Sequence, residues 1–150
     1  MTTGKAILWS AGAFVALVAW ANPQSALGQS SQFYPLTPCR VVDTRATGTT
    51  PPTMTGNSTR SFTVKGLCGV PSDAKAIAYN LTAVLPSAGG HMRIFPSDVS
   101  MPTASAVNFS AGTVTANGGV VKLATTTPDL SIFLNTGTAD ALVDVTGYFK

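Results

Sequence analysis

"AKAIAYNLTAVL", residues 74 to 85, alternates without interruption between two rows of side chains. Ile77, Tyr79, Leu81, Ala83 and Leu85 form one row; Ala74, Ala76, Ala78, Asn80, Thr82 and Val84 form the other. A period of two over so long a stretch is that of a β-strand, in which successive side chains point to opposite faces. The second row carries no charge at all, and the first only Lys75, at its start. A strand with one face on a core and the other in water usually shows polar or charged residues on the wet side. This strand therefore belongs in the middle of a sheet, with its second face covered by loops of its own chain or by another copy of the protein.

The same period continues on both sides. Strands are expected at 40–44, 61–65, 91–95, 104–110, 120–124, 130–135 and 141–149, separated by turn-forming runs at 86–90, 110–112, 117–119 and 135–137. Beyond residue 28 no segment sustains a helical period. The stretch 46–59, ATGTTPPTMTGNST, has no apolar alternation and is expected to be a loop. Seven or eight short strands in one unit define an all-β protein, an antiparallel β-sandwich, with a partly closed β-barrel as the alternative.

The chain opens differently. Lys5 is followed by an uncharged apolar run, Ala6–Ala21, that falls short of the roughly 20 residues a bilayer-spanning helix needs. A basic start, a short apolar stretch and small residues after it fit a secretory signal peptide, residues 1–28, with cleavage after Gly28 or, alternatively, Ala21. No membrane span is expected once it is removed. Residues 29–38, QSSQFYPLTP, form an extended arm stiffened by Pro35 and Pro38. Its Phe33, Tyr34 and Leu36 need an apolar surface, on the same domain or on a neighbour. The remainder, 39–150, has the size of one domain.

Charge is scarce: Asp, Glu, Lys and Arg make up 10% of the chain, and there is no glutamate, against about a quarter in an ordinary soluble domain. A formal net charge of +3 spread along the chain is too weak and scattered for a nucleic-acid partner. Cys39 and Cys68 both follow the signal segment, in a chain bound for an oxidising compartment, and are expected to form a disulfide. A zinc site lacks ligands, since His91 is the single histidine.

Three of the few charges fall in "PCRVVDTR", residues 38–45. If this stretch is extended, Cys39, Val41, Asp43 and Arg45 share one face, and Arg40, Val42 and Thr44 the other. Asp43 and Arg45 then sit together on the inward side near a strand end, where charges persist when paired and hydrogen-bonded. A structural ion pair is the favoured reading, against a ligand-binding or catalytic pair. A weaker pattern recurs in Tyr79-Asn80-Leu81-Thr82, Val107-Asn108-Phe109-Ser110 and Val143-Asp144-Val145-Thr146. Each places a poor strand former opposite two apolar flanks. Its polar residue either faces solvent or pairs with a buried group.

The segments FYPLTPCRVVDTR (33–45), LCGVPSDAKAIAYNLTAV (67–84), GGHMRIFPSD (89–98), PTASAVNFSAGTVTANGGVV (102–121) and ALVDVTGYF (141–149) resemble, in order, a family of secreted bacterial β-modules. That family shows a Pro-Cys-Arg-x-x-Asp-Thr-Arg opening, a Cys-Gly-x-Pro step and an Asp-x-x-Gly-Tyr-Phe ending. It has no established enzymatic activity, and its members occur as tandem or terminal modules on surface and secreted proteins. The resemblance implies an extracellular β-module. Here the module is expected to stand almost alone, without a catalytic or anchoring domain to serve.

Catalytic readings lack material. The six aspartates fall in separate turns and strands, His91 has no nucleophile-elbow motif to serve, and no phosphate loop, dinucleotide fingerprint or calcium loop is present. No enzymatic activity, cofactor or metal is expected. The expectation is a secreted structural protein at the cell surface or outside it, a homo-oligomer or polymer assembling through the 29–38 arm into a filament or surface layer. The alternative is an adhesion or carbohydrate-binding module with a glycan partner. That reading is short of aromatic platforms, because Trp9 and Trp20 belong to the signal segment.

Overall fold

The computed structural model describes residues 30–150, and the proposed signal segment lies outside them. Nine strands follow in chain order: β1 Phe33–Asp43, β2 Met54–Thr55, β3 Ser58–Phe62, β4 Ala76–Val84, β5 Gly90–Pro96, β6 Val107–Phe109, β7 Val114–Lys122, β8 Leu130–Leu134 and β9 Thr138–Phe149. There is no helix among the described residues. One sheet runs β1-β9-β4-β7, with β2 paired to β9; the other runs β3-β8-β5-β6, and every pairing is antiparallel. Both sheets stay open, so the fold is the β-sandwich and not the barrel.

The stretch 74–85 takes its expected place. β4 lies between β9 and β7, and its row Ile77, Tyr79, Leu81 and Ala83 is buried in the core. From the facing sheet come Met92, Leu130, Ile132 and Leu134, all fully buried, and β9 adds Val143 and Val145. These inner rows form one hydrophobic core between the two sheets. On the outer row Ala76 and Thr82 are buried and Ala78, Asn80 and Val84 half-buried, on a strand paired along its whole length at both sides. Leu85 departs from its row: its φ is +46° and its side chain is 66% exposed.

Several boundaries differ from expectation: β3 starts inside the expected 46–59 loop and ends before 63–65, β6 spans only the middle of 104–110, and three further differences bear on the site. Asn117-Gly118-Gly119 is no turn; it lies in the middle of β7, paired with Leu81, Asn80 and Tyr79. The glycine there serves a close approach, since a Cβ on Gly119 would stand 3.0 Å from the Tyr79 hydroxyl. Within the 46–59 loop, Met54 and Thr55 pair with Ala139 and Thr138, and Met54 is fully buried. The arm residues 33–38 continue without a break into 39–43 as a single edge strand, so no structural boundary falls between Pro38 and Cys39.

Candidate functional site

The octet 38–45 is built into β1 and the turn after it. Cys39 and Cys68 form the expected disulfide, with their Cα atoms 5.8 Å apart. The ladder to β9 slips by one residue between Arg40 and Val42. A bulge of this kind reverses side-chain parity, and the expected two-face arrangement fails here for that reason. Val41 and Val42 are both buried, and Arg40 comes onto the same side as Asp43, 3.7 Å from its Oδ2.

Asp43 is 5% exposed. Its Oδ1 accepts hydrogen bonds from the Arg45 backbone N–H at 3.2 Å and from Arg45 Nε at 2.9 Å, and its Oδ2 accepts one from Arg45 Nη2 at 2.6 Å. The Asp43 N–H donates to Thr50 Oγ1, and its carbonyl accepts from the Thr50 N–H, which closes the turn. Gly48 is required beside it, because a Cβ there would overlap the Asp43 carboxylate. Arg40 makes a two-pronged bond to Asp144, at 2.8 and 3.0 Å, and Asp144 stands opposite Asn80 on β4. Thr44, fully buried, donates to Asp140 Oδ1 and accepts from the Ala141 N–H. Of the octet's three charges, Arg40 joins β1 to β9, while Asp43 and Arg45 pair with each other and hold the turn after β1.

The hydrogen bonds from Arg45 hold the Asp43 carboxyl below the usual carboxylate range, against the opposing effect of burial. Pairing raises both guanidinium groups: Arg45 through its bond to Asp43, Arg40 through its bond to Asp144. Asp43→Asn is expected to cost about 1–3 kcal/mol at pH 7, less than a fully buried pair would, because both arginines stay partly in water. A depressed folded pKa makes this stabilisation complete above the unfolded value of about 4 and removes it as pH falls through the folded value. Urea midpoints of the two proteins should therefore converge as pH falls below about 4 and through the folded value. A gap of unchanged size at pH 2 would rule out the ion pair as its source.

The arm closes on its own chain. Phe33 and Tyr34 pair with Phe149 and Tyr148; the Phe33 and Phe149 ring centroids are 5.0 Å apart, and the two tyrosines stack at 5.1 Å with an 11° interplanar angle. The Phe33 ring lies over Gly147, and Leu36 packs against the core. Arm donation to a neighbour would require all these contacts to open. Within the single chain, the residues expected to make the subunit contact lie on its own C-terminal strand.

The opposite edge is different. β7 ends its sheet, and no described strand pairs along its outer side, although Asn117 Nδ2 donates to the Ala106 carbonyl at 2.7 Å. Val114 and Val120 are 65% and 60% exposed, next to Ala116 and Gly118, and the strand has no charge before Lys122. Sequence reasoning missed this edge by reading its centre as a turn.

Asp129 was also missed. It is fully buried, and its two carboxylate oxygens accept the N–H groups of Val64 at 2.9 Å and Lys65 at 3.1 Å. Among the described residues no three His, Cys, Asp or Glu side chains come close enough to hold a metal. His91 Nε2 accepts a bond from Arg93 Nε at 3.2 Å. Among the described residues no helix is long and apolar enough to cross a membrane. A disulfide is the state that cysteines keep in oxidising compartments. No protein-family profile, curated protein or solved structure matches the chain.

Proposed function

We propose that the protein is a secreted, non-enzymatic structural subunit that self-associates outside the cell, and that β7 forms its subunit contact. The observation that carries this reading is the asymmetry of the two edges of the five-stranded sheet. β1 carries Pro35 and Pro38, which lack the N–H an added strand would need. β7 carries no proline and no charge over Val114–Val121, and it exposes two valines. Natural edge strands are usually blunted by lysine, proline or cover, and one left flat and apolar is a template for another strand. An antiparallel contact between two β7 strands is isologous and closes a dimer; a filament or layer adds a second contact to that unit. The disulfide and the resemblance to secreted modules support the extracellular setting.

Sedimentation velocity and negative-stain images of the purified protein test this. Association that grows with concentration is expected, and Ala116→Lys with Val120→Lys should abolish it while leaving the melting temperature nearly unchanged, since both positions are exposed. A protein that remains monomeric at high concentration, or one whose association ignores the two lysines, would defeat the reading.

A further inference from the structure

The basic residues divide by type. All four arginines bond within the chain: Arg40 to Asp144, Arg45 to Asp43, Arg60 to the carbonyls of Thr50 and Pro51, and Arg93 to His91 and the Pro102 carbonyl. Arg60 and Arg93 also lie over the rings of Phe62 and Phe133. The lysines gather elsewhere. Lys65, Lys75 and Lys122 line one cleft of about 490 Å³ at the end of the sandwich, together with Ser72, Asp73 and Thr125. The fourth described lysine, Lys150, reaches Asp73 from outside at 3.5 Å.

The cleft is held by backbone. The Lys75 N–H donates to the Phe149 carbonyl, and the Lys75 carbonyl accepts from the Leu123 N–H. Asp129 fixes the backbone at Lys65, whose ammonium donates to the Ala124 carbonyl at 2.6 Å. Lys75 and Lys122 are exposed, and among the described residues neither is paired with a carboxylate. Asp73 is occupied by Lys150, and Asp98 accepts from the Thr125 N–H behind the rim. Like charges converging on a concave surface focus a positive potential into it.

We propose that this cleft binds an acidic glycopolymer, a sugar or polyol chain bearing repeated oxyanions. Lysines contribute point charges suited to carboxylate or phosphate oxygens, and the hydroxyl of Ser72 suits a sugar hydroxyl, while that of Thr125 donates to Asp98. The volume exceeds what a lone inorganic anion fills and lies in the range of ligand pockets, roughly 300–1,000 Å³. No aromatic residue lines the cleft, so a nucleobase has nothing to stack on. This site is remote from the octet and does not depend on self-association.

The test is a titration of the purified protein, followed by amide chemical shifts, with tetragalacturonate, with poly(glycerol phosphate) and with neutral cellotetraose. Tetragalacturonate or poly(glycerol phosphate) is expected to bind, and whichever does identifies the oxyanion as carboxylate or phosphate. Shifts should map to residues 65, 72–75 and 122–125. Lys75→Ala with Lys122→Ala should weaken binding at least about tenfold, and salt near 0.5 M should suppress it. Lys122→Gln alone, the milder change, should weaken it less. Binding no stronger than that of cellotetraose, shifts outside the cleft, or affinity unchanged in a folded double variant would overturn the proposal.

Discussion

Replacing Cys39 and Cys68 together by serine is expected to lower the stability of the domain by roughly 3–4 kcal/mol, the loop-entropy value for a crosslink joining positions 29 apart. For a chain of this size that is a fall of roughly 10–20 °C in melting temperature. The expectation is at the upper end because of where the crosslink sits. Cys39 lies midway along β1, between the aromatic pairs at its start and the ion pairs at its end. Cys68 belongs to the tight loop before β4, where Cys68 and Gly69 both have positive φ. Without the bond, an edge strand and an irregular loop must hold each other through Leu36 and the neighbouring core alone. Scanning calorimetry of the oxidised protein and the double variant decides the matter. A shift under about 3 °C would mean that the unfolded chain is already compact there, so that the crosslink removes little freedom from it.

Asp129→Ala is expected to be at least as costly, roughly 3–5 kcal/mol. It leaves the N–H groups of Val64 and Lys65 without partners in a buried place, at about 1–3 kcal/mol for each unsatisfied group, and it adds a small void. Asp129→Asn keeps one carbonyl oxygen and can accept one of the two bonds, so its loss should be clearly smaller. Chemical denaturation of the three proteins provides the ordering: wild type, then Asn, then Ala. Equal losses for Asn and Ala would place the effect in the negative charge and not in the two hydrogen bonds. Because Asp129 also fixes the backbone of Lys65, the alanine variant should lose the lysine cleft with the local structure.

What could be read in advance follows the physics of each signal. Alternation over 74–85, 130–135 and 141–149 reports a face buried on a core, and those strands stand at the centres of their sheets, where that signal is strongest. β7 is an edge strand with little burial to impose a pattern, and Asn-Gly-Gly in its centre has the composition of a turn. Only its neighbour Tyr79, whose ring occupies the space above Gly119, makes those glycines strand residues. In the octet the residue types pointed to an ion pair, and Arg45 does bond Asp43. Its geometry was out of reach because a one-residue bulge carries no sequence mark and reverses the parity on which the two-face reading rests. Asp129 lies in an irregular stretch with no period, and its role depends on backbone 64 residues away. The convergence of three lysines on one cleft is equally a product of strand order.

The antiparallel pairing of the two chain ends has a mechanical meaning. Gln32 and Lys150 exchange both backbone hydrogen bonds, and Phe33 faces Phe149 one step further in. Tension applied at residues 30 and 150 therefore pulls on the terminal rung of this ladder and opens its rungs one after another, instead of shearing them all together. Peeling through 33–38 yields a short extension at low force. At Cys39 the load divides between the still-paired 40–43 segment and a covalent bond to Cys68, which belongs to the loop leading into β4. A domain loaded through its ends would give way over a few residues and then hold, and the released strand could zip back when the tension falls.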